Sequence, residues 1–274
     1  MEFDLRSASD YRLPDLVKLM NRGFENYFIP IQFNVSALLA MLRKDSVDLS
    51  ASRVLLVDKE PSGIALIARR GPISRLAAMG ISEGMRGRSA GTWFMEKLVM
   101  EARERQEHEM VLEVIEQNEP AVRLYQNYGF QIVRRLMGWI HKDASENETS
   151  DLQELDLGDM ARLISQYGLS NLPWQISGET IALMTHPARA YRKGQAYAVI
   201  SDPSAEHIVI WSLLVETPAR GNSLGADILK SLIAHHAGRI WHIPAIFPEE
   251  FGKVFEHAGF EREELSQWQM RLPL

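Results

Sequence analysis

The sequence predicts an α/β (α+β) protein built from two tandem copies of one unit, each a mixed, mainly antiparallel sheet flanked by helices. Three observations predict it. A hexapeptide, RGRSAG at 86–91, returns 134 positions later as RGNSLG at 220–225. The helical pattern that follows repeats with it: Gly91, Phe94, Met95, Leu98 and Ala102 become Gly225, Ile228, Leu229, Leu232 and His236, and four of the five keep their character. A Gly-Phe segment, LYQNYGF at 124–130, returns as VFEHAGF at 254–260, offset by 130, so four residues are missing from the second copy.

Along the first copy, apolar alternation and turn residues predict a strand at 2–8 and helices at 13–25 and 35–43. Strands follow at 53–58, 63–69 and 75–82, and a helix runs from the repeated loop to about residue 106. A strand at 110–116, a helix at 119–128 and a strand at 131–141 complete the copy. The polar stretch HKDASENETSD at 141–151 has no apolar periodicity and reads as a linker. Domains are therefore expected at 1–146 and 147–274, the second a shorter version whose segment 169–189 is poorly periodic.

Composition narrows the function. The chain has 274 residues and 46% hydrophobic content, enough for two ordinary domains with buried cores. Its longest apolar runs fall far short of a membrane span, and MEFDLRSASD lacks the basic start of a signal peptide, so a cytoplasmic protein is expected. Zero cysteines exclude disulfides, thiolate metal sites and cysteine nucleophiles. His235 and His236 are adjacent and so diverge on a helix, and no metal site is expected. A net charge of −6 argues against a nucleic-acid partner.

GRSAG also fits the G-x-S-x-G pattern of a hydrolase nucleophile elbow, with Ser89 as nucleophile. The polar stretch SEGMR separates the apolar run from the loop, whereas an elbow follows its strand directly. The histidines after Ser89 in this copy, His108 and His141, are poorly placed for a triad. Repetition of the loop in each half fits a binding module better than a single nucleophile. Read as a cradle, the loop offers helix N-terminal N–H groups, two glycines and two arginines to an anion such as a pyrophosphate.

With VLEVIEQNEPAVRLYQNYGF at 111–130 behind it, the loop resembles that of the GNAT acyltransferase superfamily, and the first half is particularly similar to the N-terminal acetyltransferases of ribosomal proteins. Ser89 stands where the family pattern has its middle glycine. The resemblance is specific over about 52–140 and architectural elsewhere, and tandem members of the superfamily exist. It implies acetyl-CoA as cosubstrate, no metal, an amine acceptor that is a small molecule or a peptide N-terminus, and a monomer or homodimer.

Carried over residue by residue, the resemblance implies that the backbone at Gly80 and Ile81 pairs with the pantetheine arm and polarises the acetyl carbonyl. Arg86, Gly87, Arg88, Ser89, Ala90, Gly91 and Thr92 would hold the pyrophosphate. Asn118 would contact the cofactor or cap the next helix. Tyr125 would be the general acid toward the leaving thiolate. Glu113 would be the base, or else be buried in an ion pair. Tyr125 aligns with Phe255, and Glu113 and Asn118 have no counterparts in the second copy, so catalysis is expected in the first, and the second, degenerate copy is expected to be structural or to form the acceptor site. The aromatics of RGFENYFIPIQF, at 22–33, would line the acceptor or pack in the core.

Overall fold

The computed structural model describes residues 1–142 and 151–274. It divides into two compact units, Met1–Val133 with Trp268–Leu274, and Arg134–Gln267. The mixed α/β fold expected from the sequence is present in both. The expected boundary at 146/147 and most of the linker lie outside the described residues.

In the first unit, β1 (Phe3–Ser7), β2 (Val47–Val57), β3 (Glu60–Arg70) and β4 (Ile73–Ile81) pair antiparallel in that order. β5 (Glu109–Ile115) lies parallel to β4. Beside β5 stands the Trp268–Leu274 end of β12 (Glu261–Pro273). Its Met270 and Leu272 are buried in the same core as Phe94, Leu98 and Tyr125. The unit's sheet therefore takes its last strand from the far end of the sequence.

Four helices flank this sheet. α1 (Leu13–Gly23) buries Leu16, Leu19, Met20 and Gly23, a spacing of i, i+3, i+4 and i+7 that lays one stripe on the sheet. α2 (Val35–Lys44) is capped by Asn34, whose side chain accepts from the N–H of Ala37 at 2.8 Å. α3 (Ala90–Glu104) buries Phe94, Met95, Leu98 and Ala102 of the predicted stripe. Phe94, Met95 and Leu98 each contribute about 1.5–3 kcal/mol on burial. α4 (Glu119–Asn127) begins at Asn118, whose carboxamide accepts from the Ala121 N–H, with Pro120 in its first turn.

The second unit repeats the plan with β6 (Gln131–Lys142, from Arg134 onward), β7 (Gln153–Leu155), β8 (Arg189–Lys193), β9 (Ala196–Ile200), β10 (His207–Val215) and β11 (Ile240–Pro248). Sheet order runs from the start of β12 through β6, β11, β10, β9 and β8 to β7. Its helices are α5 (Leu157–Tyr167), α6 (Gly178–Ala182), α7 (Leu224–His235) and α8 (Gly252–His257). The weakly periodic segment 169–189 holds only a short turn of 3-10 helix at Trp174–Ile176 and α6. A core of Trp139, Trp241, Phe247 and Phe255 fills this unit.

β2 starts six residues before the expected strand. Its early part, VDLSAS, is polar because its register shifts between Asp48 and Arg53, where Asp48 accepts from the N–H groups of Ser50 and Ala51.

Candidate active site

The site in the first unit begins as a break in the sheet. β4 and β5 pair only at Ile73 with Glu109, Ser74 with Met110 and Arg75 with Val111, although both strands run on. The cause lies on β4's other edge. Leu66 pairs with Ala78 and Ile67 with Leu76, so Ala77 is an extra residue that bends β4 just beyond the last shared pair. The far half of β4, ending at Gly80 and Ile81, is thereby turned away from β5, and its edge toward β5 carries backbone groups that β5 does not take up. The second unit does the same 134 residues later: Trp211 is the extra residue, and β10 pairs with β11 only at His207–Val209.

At the open end β4 runs into the repeated loop. After a 3-10 turn at Glu83–Met85, Gly87 adopts φ +72° and Ser89 φ +61°, and α3 starts at Ala90. Glycine accommodates the left-handed conformation at 87 without strain. Ser89 is the helix N-cap, yet its side chain makes no capping bond, so the first-turn N–H groups of α3 stay open to an outside acceptor. Arg86, Gly87, Arg88, Ser89 and Thr92 are exposed, and Ala90 is buried. Gly221 at +86° and Ser223 at +58° reproduce the turn before α7.

Eight residues separate the end of β4 from α3, which is not the sharp strand-to-helix turn of a nucleophile elbow. His108 lies before β5, at the end of the strands opposite Ser89.

Arg86 has a different position from the one its sequence suggests. Its guanidinium donates to the carbonyls of Ile81 at 3.0 Å, Gly23 at 3.0 Å and Glu25 at 3.1 Å. It staples the loop to the end of β4 and to the C-terminal end of α1, where helix carbonyls lack partners. A guanidinium bond from Arg86 to phosphate would have to displace these. Arg220 repeats the staple, donating to the carbonyls of Val215 and of Tyr167 at the end of α5.

Gly91 marks where the parts meet. A Cβ there would sit 3.6 Å from Ile81 Cδ1 and 3.6 Å from Leu124 Cδ2, in contact with both β4's end and α4. Next to Leu124, Tyr125 is buried in the core, its ring edge-on to Phe130 at 5.8 Å. Burial pushes its phenol far above the ordinary value, with a smaller push from Tyr27. Among the described residues its hydroxyl has no hydrogen-bond partner. Tyr27 is itself pushed up by burial and is held back by the Asn118 side chain, within hydrogen-bonding reach. Asn118 therefore caps α4 and also reaches Tyr27.

Two residues at this site went unread in the sequence. Tyr27 stood there only as one aromatic among several. Tyr128 donates its hydroxyl to the Thr92 carbonyl at 2.6 Å, tying α4 to the first turn of α3. Its only sequence signal is its place before Gly129-Phe130.

Glu113 is not brought into this group. Its carboxylate accepts from Arg75 Nε at 2.7 Å, and Arg75 Nη1 approaches Asp45 at 3.4 Å, all three side chains being almost wholly buried. Arg75 occupies the last shared position of β4 and β5, so the ion pair closes the sheet where the break begins. The ion pair that the sequence left open for Glu113 is thus present.

Among the described residues no group of three or more His, Asp or Glu could hold a metal ion. No helix among them is long and apolar enough to cross a membrane.

Residues 16–130 match the family model of the acetyltransferase (GNAT) family. Over the whole chain the fold is similar to a GCN5-related N-acetyltransferase from Sphaerobacter thermophilus, with TM-score 0.70 and 14% identity over 99% of this chain and 95% of that one. A tandem GNAT protein from the clavulanic acid biosynthesis pathway gives 0.68 and 15%, over 99% and 98%. A GCN5-related N-acetyltransferase from Anabaena variabilis gives 0.63 and 16%, over 98% and 72%. At these identities the likeness is one of fold, and no curated protein matches the sequence. Residues 16–130, most of the first unit, are thus matched by the GNAT acetyltransferase family model, and the chain as a whole shares its fold with GNAT proteins.

Proposed function

We propose that the first unit transfers an acetyl group from acetyl-CoA to a primary amine by direct attack in a ternary complex. The observation that carries this reading is the convergence at Gly91 of the freed end of β4, the open start of α3 and the Tyr125 helix. The residues fit an acyl-CoA: uncapped first-turn N–H groups and the exposed Arg88 suit a pyrophosphate, and the edge of β4 that β5 does not pair suits an amide-bearing arm.

Acetyl-CoA would supply an acyl group activated as a thioester. Backbone N–H groups at Gly80–Ile81 would donate to the acetyl oxygen as negative charge builds there. Tyr125, kept protonated by burial, would hold its Oη proton for the departing sulfur. Arg86 would act through the loop it staples, and Ala90, Gly91 and Thr92 through their backbone. Asn118 would meet the cofactor from the start of α4. Glu113 would anchor the sheet in its ion pair, and the acceptor ammonium would give its proton to solvent before attack.

For the second unit we infer a structural role. Phe255 replaces Tyr125, fully buried and 4.6 Å from Trp139, and Leu214 stands where Gly80 would be. Neither can move a proton or leave the backbone bare. Thiol release from acetyl-CoA in the presence of an amine panel tests the reading, with native mass spectrometry for bound stoichiometry. One bound acetyl-CoA and amine-dependent thiol release are expected. Binding without thiol release would make the protein a silent CoA-binding module instead.

A further inference from the structure

We infer that the acceptor is a primary amine carried on an apolar, aromatic or branched aliphatic body with a single positive charge, and not a polycation. This rests on the acetyl-transfer reading above. An aromatic ladder leads from the reacting edge to the surface. Phe24 Cε2 lies 3.2 Å from where a Cβ on Gly80 would be. Its ring meets Tyr27 at 5.2 Å, edge to face, and Tyr27 meets Phe28 at 5.5 Å in the same way. Tyr27 is also the residue that reaches Asn118 and acts on Tyr125, so the ladder opens onto the acid.

Its outer end is left bare. Phe28 is 50% exposed, Ile29 42%, Val35 36% and Leu39 48%, half of the exposed large hydrophobic residues among the described residues. Val35 and Leu39 are one helical turn apart on α2, whose single buried residue is Leu38. Apolar side chains gathered on one segment beside a cleft mark a binding surface. Charge excludes the other class of acceptor. The chain carries −6 overall, yet residues 22–39 hold one cation, Arg22, and one anion, Glu25. Glu83 across the loop is within 3.4 Å of the Asn26 carboxamide. A polyamine or aminoglycoside needs several carboxylates for its several ammonium groups; this segment supplies one, Glu25, and Glu83 already accepts from the Asn26 carboxamide. One ammonium is well served by the faces of Tyr27 and Phe28.

The test measures thiol release from acetyl-CoA with 2-phenylethylamine, a pentapeptide beginning with Phe, spermidine and an aminoglycoside. At least one of the two apolar amines should exceed both polycations by about tenfold or more in kcat/KM, and which one does so separates a free amine from a peptide N-terminus. A Phe28→Ser/Ile29→Ser variant, changed only at exposed positions, should raise KM for the preferred amine about tenfold with kcat within about twofold. Equal or better turnover of a polycation, or an unchanged KM in the variant, overturns the inference and leaves acetyl transfer standing. Failure of every amine to release thiol overturns both.

Discussion

Gly23 and Gly80 meet backbone to backbone: a Cβ on Gly23 would stand 2.9 Å from both Cα and C of Gly80. The C-terminal end of α1 thus crosses the strand end expected to polarise the acetyl carbonyl, and two absent side chains set how closely. Either glycine changed to alanine forces backbone apart, at a cost of about 1–3 kcal/mol. Thermal unfolding should show Gly80→Ala destabilised, and its acetyl transfer should fall further than its stability. Wild-type melting in Gly23→Ala and Gly80→Ala would show that the contact is not needed.

Tyr125→Phe should lower kcat by about 100-fold or more while acetyl-CoA binding and melting temperature stay near wild type, because the lost hydroxyl has no partner in the described residues. Since burial holds the phenol protonated well above its usual range, no alkaline fall in rate near pH 10 should trace to this residue. Unchanged turnover in Tyr125→Phe removes it from the mechanism.

Glu113→Gln separates an anchor from a base. Removing the nearer of Arg75's two buried carboxylate partners, with Asp45 left at 3.4 Å, should cost up to about 3–5 kcal/mol by urea unfolding. A base would behave otherwise, with stability kept and rate lost.

The two loop arginines should part company. Arg88→Ala should raise KM for acetyl-CoA with little change in melting. Arg86→Ala releases three backbone carbonyls and should lower melting as well as affinity. Identical profiles for the two variants would mean that the staple has no separate effect.

In the second unit His236 is pushed down to about 4 by burial, with His235 and Arg239 adding to the shift. Among the described residues its buried Nε2 has no hydrogen-bond partner, and its ring lies beside those of Tyr191 and Trp241. A lowered histidine favours folding in its neutral form, so that contribution is present above about 6.5 and is lost as pH falls toward 4. Urea midpoints at pH 7 and pH 4.5 should therefore differ less in His236→Phe than in wild type.

Periodicity and repetition exposed the helices and the loop, because Leu98 declares itself by its own spacing, and the family resemblance pointed to the phenol of Tyr125. Partners are another matter. Arg86 and Arg88 look alike in a basic loop, and only the fold shows one of them bound to three carbonyls. Glu113 could as well be a base until Arg75 is found 38 positions away in sequence. The bulge at Ala77 leaves no mark in an apolar run, nor does 268–274 announce which sheet it joins.

That last strand bears on how the molecule is made. Met270 and Leu272 lie in the core around Tyr125, so a ribosome that has released residues 1–133 has not yet supplied what closes the acyl-transfer unit. The unit must wait, with one strand edge unsatisfied, while some 130 further residues are synthesised, and it acquires long-range contacts that slow folding. On the acetyl-transfer reading, a chain released only through residue 133 would lack that strand and should not acetylate an amine until 268–274 has been translated.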